Sequence, residues 1–490
     1  MKRIFIILLI ASLFATCRSG EEELAIFDGG VVKRKEFREF YPNHELAIDN
    51  NTTAIKYQTS VLETIAVQSI VEIETNKKGH QNTDIYKSIL ALKEKQLLVN
   101  LYRKNFIEKG LKSKEMELVS GQMLYIKKDA NGNPNSVKAD RVLSDLQKLK
   151  SDKEINAYVS KETEEEGRRP ISGLLEPQCM NCSEENILRE ILIESYKSNL
   201  LQTFAKKEFN GDLFVYRIIE VKKMKAADLE SYLSKKFKEF QTLAKDFKAT
   251  AADDQKQLAD YYIGDEVKLE KEAKMIGDRY KEQLQALIWN EEYEKISKES
   301  GIQFSKEMST LSEGELVDTT PIYTKGDKTY TIADLKSEYA KVNMKPNSYS
   351  PPTKELLYFF NSAILPITLL SDNAEVKNLK SSEKFESSLS LWKKNISWSF
   401  FVRDLQDLQA PISEQELKDT YEAGKLYAYS SPSKSNPNKR DPMPFDQVKE
   451  KIREELRTAK IKGEMQKQIE KLKSDYHLKI HTDKLKAGSV

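Results

Sequence analysis

The chain has 490 residues, 79 of them basic and 77 acidic, so its charges nearly cancel. No stretch is basic enough to form a nucleic-acid face, and the lysine-rich runs read as solvated helix surfaces laced with ion pairs. Charged residues make up 32% and glycine and proline are few, which favours long solvated helices over a sheet-rich body; the length allows two to four domains of about 100–200 residues each.

Lys2 and Arg3 precede an apolar run from Ile4 to Ala15. The run is too short to span a bilayer and has the build of a signal peptide, so export is expected, with residues 1–17 outside the fold. Leu13-Phe14-Ala15-Thr16-Cys17 resembles a bacterial lipobox of the looser spirochaete kind. That resemblance implies lipid attachment at Cys17 and an envelope protein, periplasmic or on the outer membrane; ordinary signal-peptidase cleavage is the alternative. The remaining cysteines, Cys179 and Cys182, stand in Cys-Met-Asn-Cys. Zinc would need further ligands that the neighbourhood lacks, and thioredoxin-like chemistry would need a strand–helix context that is absent. A loop-stiffening disulfide or two free thiols are left.

Residues 21–114 read as a hairpin followed by helices. Leu24 to Val32 alternates into and out of a Gly29-Gly30 turn, and Lys33 to Phe40 begins a helix. Val61, Leu62, Ile65, Ala66, Ile70, Val71 and Ile73 give a second helix with a broad apolar face, stopped at Gly79. Ile85 to Phe106 gives a third, with Gln96 as the polar break in its stripe.

Residues 115–222 change to mixed elements: a strand at Gln122–Ile126, a helix over Ala139–Leu149, a turn at Pro170–Leu175, a helix over Glu185–Leu200 and a strand at Leu213–Val221. Residues 223–310 form a long helical arm, folded near Ala249–Asp254 and ending in a short strand at Gly301–Phe304. Pro321 to Leu335 then repeats the strand, turn, strand and acidic helix start of Ala25 to Phe37, which suggests an internal duplication spanning residues 318–485. Glu355–Leu370 and Glu383–Asp404 supply apolar-faced helices, and Ser413 with Glu416 forms a capping box. A Ser, Pro and Asn-rich loop from Ser430 to Pro444 leads into an amphipathic helix striped by Phe445, Val448, Ile452, Leu456, Ala459, Ile469 and Leu472. A short edge strand follows at Tyr476–His481.

The tail phrase Pro444-Phe445-Asp446-Gln447-Val448-Lys449-Glu450-Lys451-Ile452-Arg453, with its charged helix and basic strand, resembles the C-terminal segment of the SurA, PrsA and PpiD family of extracytoplasmic foldases. The opening hairpin and nested helices are similar to the front of that family, and residues 115–222 are similar to its parvulin domain. The resemblance implies a mainly α fold with a smaller α+β insert: a SurA-like helical chaperone body built from N- and C-terminal segments. The first cassette reads as a complete front, insert and back; the second lacks the parvulin. In parvulins the opening and closing strands carry paired histidines in a buried polar network beneath the isomerising proline. Gln122 and Arg217 stand at the corresponding positions here. Gln122 can still donate and accept, whereas Arg217 brings a fixed charge, unless it is a surface residue on an edge strand. Weak or absent isomerase activity is therefore expected.

No phosphate loop, dinucleotide fingerprint, paired-cysteine zinc cluster or serine elbow occurs, so no catalytic residue, cofactor or metal is expected. His44, His80, His477 and His481 read as surface histidines. The implied partners are unfolded or partly folded protein clients, with no nucleic acid, a membrane reached only through the lipid anchor, and a homodimer left open because long arms could exchange between subunits. The rivals are an active peptidyl-prolyl isomerase and a surface lipoprotein that binds host or envelope components.

Overall fold

The computed structural model describes residues 22–40, 51–129, 131–182, 186–264, 266–305, 317–345, 349–407, 411–433 and 439–485. The signal segment 1–17, Cys17 and His44 lie outside them. The protein is mainly helical with small antiparallel sheets. Its first hairpin, β1 (Glu23–Phe27) and β2 (Gly30–Lys33), turns at Gly29, whose φ of 91° suits a residue without a Cβ. The hairpin runs into α1 (Arg34–Phe40), α2 (Asn51–Lys77) and α3 (Asp84–Ser113). Gly79, at φ 79°, separates the last two.

At 1.5 Å per residue α3 is about 45 Å long, and it is the spine of the body. Its Tyr86 and Ile89 pack on Ile396 and Phe400; its Leu101 packs on Phe385 and Leu389; its Val99 and Tyr102 pack on Trp289, Ile296 and Ile367. The single stripe expected for this helix is thus several, because the second cassette covers faces that the first leaves bare.

The α+β unit comprises β3 (Glu115–Ile126), α4 (Ser136–Lys148), α5 (Asp152–Glu162), β4 (Gln178–Cys179), α6 (Ile187–Lys197), β5 (Ala205–Phe209) and β6 (Asp212–Lys225). The sheet order is β4-β3-β6-β5, all antiparallel. Leu213 to Ile218 are all buried because both faces of β6 are covered. Leu213 and Val215 face α4 and α5, while Phe214, Tyr216 and Ile218 face α6. The far end of β3 (Met116, Leu118) packs on a helical hairpin of α7 (Leu229–Thr250) and α8 (Glu266–Glu299), which ties the insert to the body.

After α8 comes β7 (Ile302–Phe304). The second hairpin is β8 (Pro321–Lys325) and β9 (Lys328–Thr331), followed by α9 (Ile332–Val342), α10 (Thr353–Phe359) and α11 (Leu365–Leu370). Between α10 and α11 one π-turn, Phe360–Ile364, widens the helix. Pro366 explains it: its ring nitrogen cannot donate to the carbonyl one α-turn back, so the backbone loosens just ahead of it. Next are α12 (Glu383–Asp407) and α13 (Glu414–Gly424), then a hairpin of β10 (Ser430–Pro432) and β11 (Arg440–Pro442) where a plain loop was expected. The chain closes with α14 (Phe445–Asp475) and β12 (Lys479–Ile480).

Two of the sheets exchange strands. Strand β12 pairs with β1 (Ala25 opposite Ile480, Ile26 opposite Lys479), so the tail of the second cassette completes the hairpin of the first. Strand β7 pairs with β8 (Ile302 opposite Lys325, Phe304 opposite Tyr323), so the tail of the first completes the hairpin of the second. This corrects the expectation of a self-contained first cassette, and the observed arm exchange lies within one chain. Helix α14 spans the exchange: Val448 and Ile452 pack on Leu417 of α13, while Ile469 and Leu472 reach Val67 and Val71 of α2 and Phe401 of α12.

Candidate functional site in the inserted unit

Gln122 and Arg217 face each other directly across β3 and β6. A β-bulge between Ser120 and Gly121 steps the register just before them, and both side chains then point to the α4/α5 side, continuing the row of Leu124, Ile126, Leu213 and Val215. Strand β6 is an inner strand, so Arg217 is no surface residue on an edge: it is only 4% exposed, and Gln122 is fully buried.

Burial of a guanidinium requires that its donors be used. Arg217 Nε donates to Gln122 Oε1 at 2.9 Å, one terminal nitrogen to Gln202 Oε1 at 3.0 Å, and the other to Asp152 Oδ1 at 2.7 Å. The Phe204 ring covers its plane with 5.2 Å between centres. The Gln122 amide is fixed in turn, since its Nε2 donates to Asn156 Oδ1 and to the Ser172 carbonyl, each at 2.8 Å. The network is closed around one ion pair, Arg217 with Asp152, whose carboxylate reaches solvent.

The turn that delivers the Ser172 carbonyl is tightly held. Ser172 is in the left-handed region at φ 54°, a conformation that costs of order 1–3 kcal/mol for a residue with a side chain. Gly173 follows at φ 69°, and a Cβ there would stand 2.1 Å from the Met123 carbonyl oxygen. The close approach lets Met123 N–H donate to Gly173 O and Leu175 N–H to Gly121 O, which clamps the turn onto β3.

Asp152, Asn156, Ser172, Gln202 and Phe204 escaped the sequence reading. One signal was available: Ser151 and Glu154 form a capping box, observed here, which marks the start of α5 and so places Asp152 and Asn156 on one helix face. Cys179 and Cys182 are joined by a disulfide, their Cα atoms 5.5 Å apart, and both are buried against α7 and α8. No helix among the described residues is long and apolar enough to cross a membrane. Of the histidines, His477 stands exposed and meets Asp28 at 2.8 Å, and His80 meets Asp404 at 2.9 Å. His481 is half-buried, and its Nε2 is buried with no hydrogen-bond partner among the described residues.

A family model described only as ":-like" matches residues 1–490, and the chain belongs to that family, whose description names no activity. No curated protein matches. Among solved structures, the chain is similar to the foldase protein PrsA from Streptococcus pneumoniae str. Canada MDR_19A at 13% identity, covering 53% of this chain and 99% of that one. The TM-score of 0.19 is too low for that likeness to carry fold or function.

Proposed function

We propose that this protein is an exported chaperone of the SurA, PrsA and PpiD kind, lipid-anchored at Cys17 in the periplasm or on the outer membrane. It holds unfolded or outer-membrane clients and carries a parvulin-like unit without isomerase activity. The observation that carries the reading is the pairing of β12 with β1: strands from opposite ends of the chain make one sheet on one helical body, with the α+β unit inserted between them. Such a body acts by holding, since an unfolded chain exposes apolar side chains and unpaired backbone. The hold must be weak, because tight binding to the unfolded state opposes folding.

The closed network around Arg217 supports the inactive half of the reading. Isomerisation needs a site that favours the twisted amide over a barrier of roughly 18–20 kcal/mol. A guanidinium already committed to Gln122, Gln202 and Asp152 cannot be neutralised in place and offers those donors to no substrate. Two assays on the full chain test the proposal: suppression of light scattering by a heat-unfolded test protein, and isomerisation of a proline-containing peptide. Suppression without acceleration is expected. Appreciable acceleration would replace the inactive reading with an enzyme.

A further inference from the structure

The second hairpin borders a cleft of about 680 Å³, closed by α3, α9 and α11, within the size range of sites that bury small ligands or short peptide stretches. Its apolar floor is Leu92, Ile364 and Ile367 with the rings of Tyr323 and Tyr330, stacked at 5.0 Å between centroids. Three consecutive residues of β9, Lys328, Thr329 and Tyr330, form one wall, and β9 is the outer strand of the order β7-β8-β9. The π-turn at Phe360–Ile364 brings Ile364 to the same wall as α11.

The charges in the cleft are not balanced. Asp334 is occupied as the N3 residue of a capping box, accepting from Thr331 N–H at 2.9 Å, and Glu338 accepts from Tyr330 Oη at 3.0 Å. Lys325 is engaged by Asp372. Lys95, Lys328 and Lys341 are exposed at the rim, and none makes an ion pair among the described residues. A lysine on an edge strand ordinarily repels further strands, yet it would welcome one that brings carboxylates.

We propose that this cleft takes an extended segment of a client polypeptide added as a further strand against β9, with acidic and apolar side chains taking turns along one face, as Lys328 and Tyr330 do on β9. Backbone pairing supplies the hold, the tyrosine floor takes the apolar side chains, and the three lysines select the acidic ones. The inference rests on the client-holding reading and names the site and sequence class of the client.

The test is fluorescence anisotropy on the full chain with a labelled peptide carrying glutamate and valine in turn at every second position with threonine between them, its lysine–valine counterpart, and a glutamate–valine version N-methylated at alternate amides. The acidic peptide is expected to bind. Both altered peptides, and the acidic peptide on Lys328→Glu/Lys341→Glu, are expected to bind about tenfold more weakly or worse, the equivalent of about 1.4 kcal/mol. Lys197→Glu on α6 is the control that leaves binding unchanged, and matching melting curves establish that the double variant is folded. Equal binding of acidic and basic peptides, undiminished binding to the folded double variant, or no binding at all overturns the site. A chain that suppresses aggregation yet fails this test loses the site and keeps the holding function; one that binds the acidic peptide at β9 but suppresses no aggregation keeps the site and loses that function.

Discussion

Arg217→Met preserves most of the side-chain stem but leaves Gln122 Oε1 in a fully buried position with no donor from Arg217. A stranded buried acceptor costs about 1–3 kcal/mol, so the unfolding free energy from urea denaturation should fall by that amount while the proline-peptide assay stays at background in both proteins. Gly173→Ala should also destabilise, because its Cβ would meet the Met123 carbonyl oxygen at 2.1 Å and Val159 Cγ1 at 2.7 Å. A thermal midpoint within error of the parent would show that the clamp on β3 can yield. Reducing the Cys179–Cys182 bond releases a very short loop, worth about 2 kcal/mol on loop-closure entropy, and should lower the denaturation midpoint accordingly. At this scale the pairing of Gln122 with Arg217 was legible, because strand wording on either side of each residue survives. Their partners were not: Gln202 and Phe204 sit in irregular chain, where no periodicity indicates which way a side chain points.

Helix α13 was legible from its first residues, since a capping box is a local device: Glu416 N–H donates to Ser413 Oγ at 3.2 Å and Ser413 N–H to Glu416 Oε2 at 2.8 Å. What the local wording could not give is the link to α14. Lys460 reaches Glu416 at 2.6 Å and, together with the cap, holds that carboxyl down at about 2 against an ordinary 4.5. A depressed carboxylate stabilises the fold above its unfolded value, and the contribution disappears as pH falls through the folded one. Acidification from about pH 4.5 towards 2 should therefore loosen α13 from α14, read as faster hydrogen exchange of the α13 amides. Glu416→Gln, which retains the cap geometry but not the charge, should flatten that dependence; an unchanged acid profile would assign it elsewhere. The β10–β11 hairpin was missed for a related reason. Its strands are three residues each and contain prolines, so neither alternation nor β-propensity singles them out.

Over the whole molecule, the duplication of the strand–turn–strand phrase located both hairpins, yet the exchange of their third strands could not be read. The two tail strands resemble each other, and the β1–β12 pairing joins residues more than 400 positions apart with no local signature. The exchange has a consequence for stability: a chain ending at Ser305 retains all of the first cassette but leaves β1 without β12 and β7 without β8. Such a fragment should unfold at a lower midpoint than the full chain, whereas a midpoint equal to that of the full chain would mean that the first cassette stands alone. The proposed holding function belongs to this scale too, since it requires one body made from both ends of the polypeptide. The most direct measurement is light scattering from a heat-unfolded test protein mixed with the full chain at equal molarity. Delayed and reduced aggregation is the expected result, and scattering identical to that of the test protein alone would contradict the account.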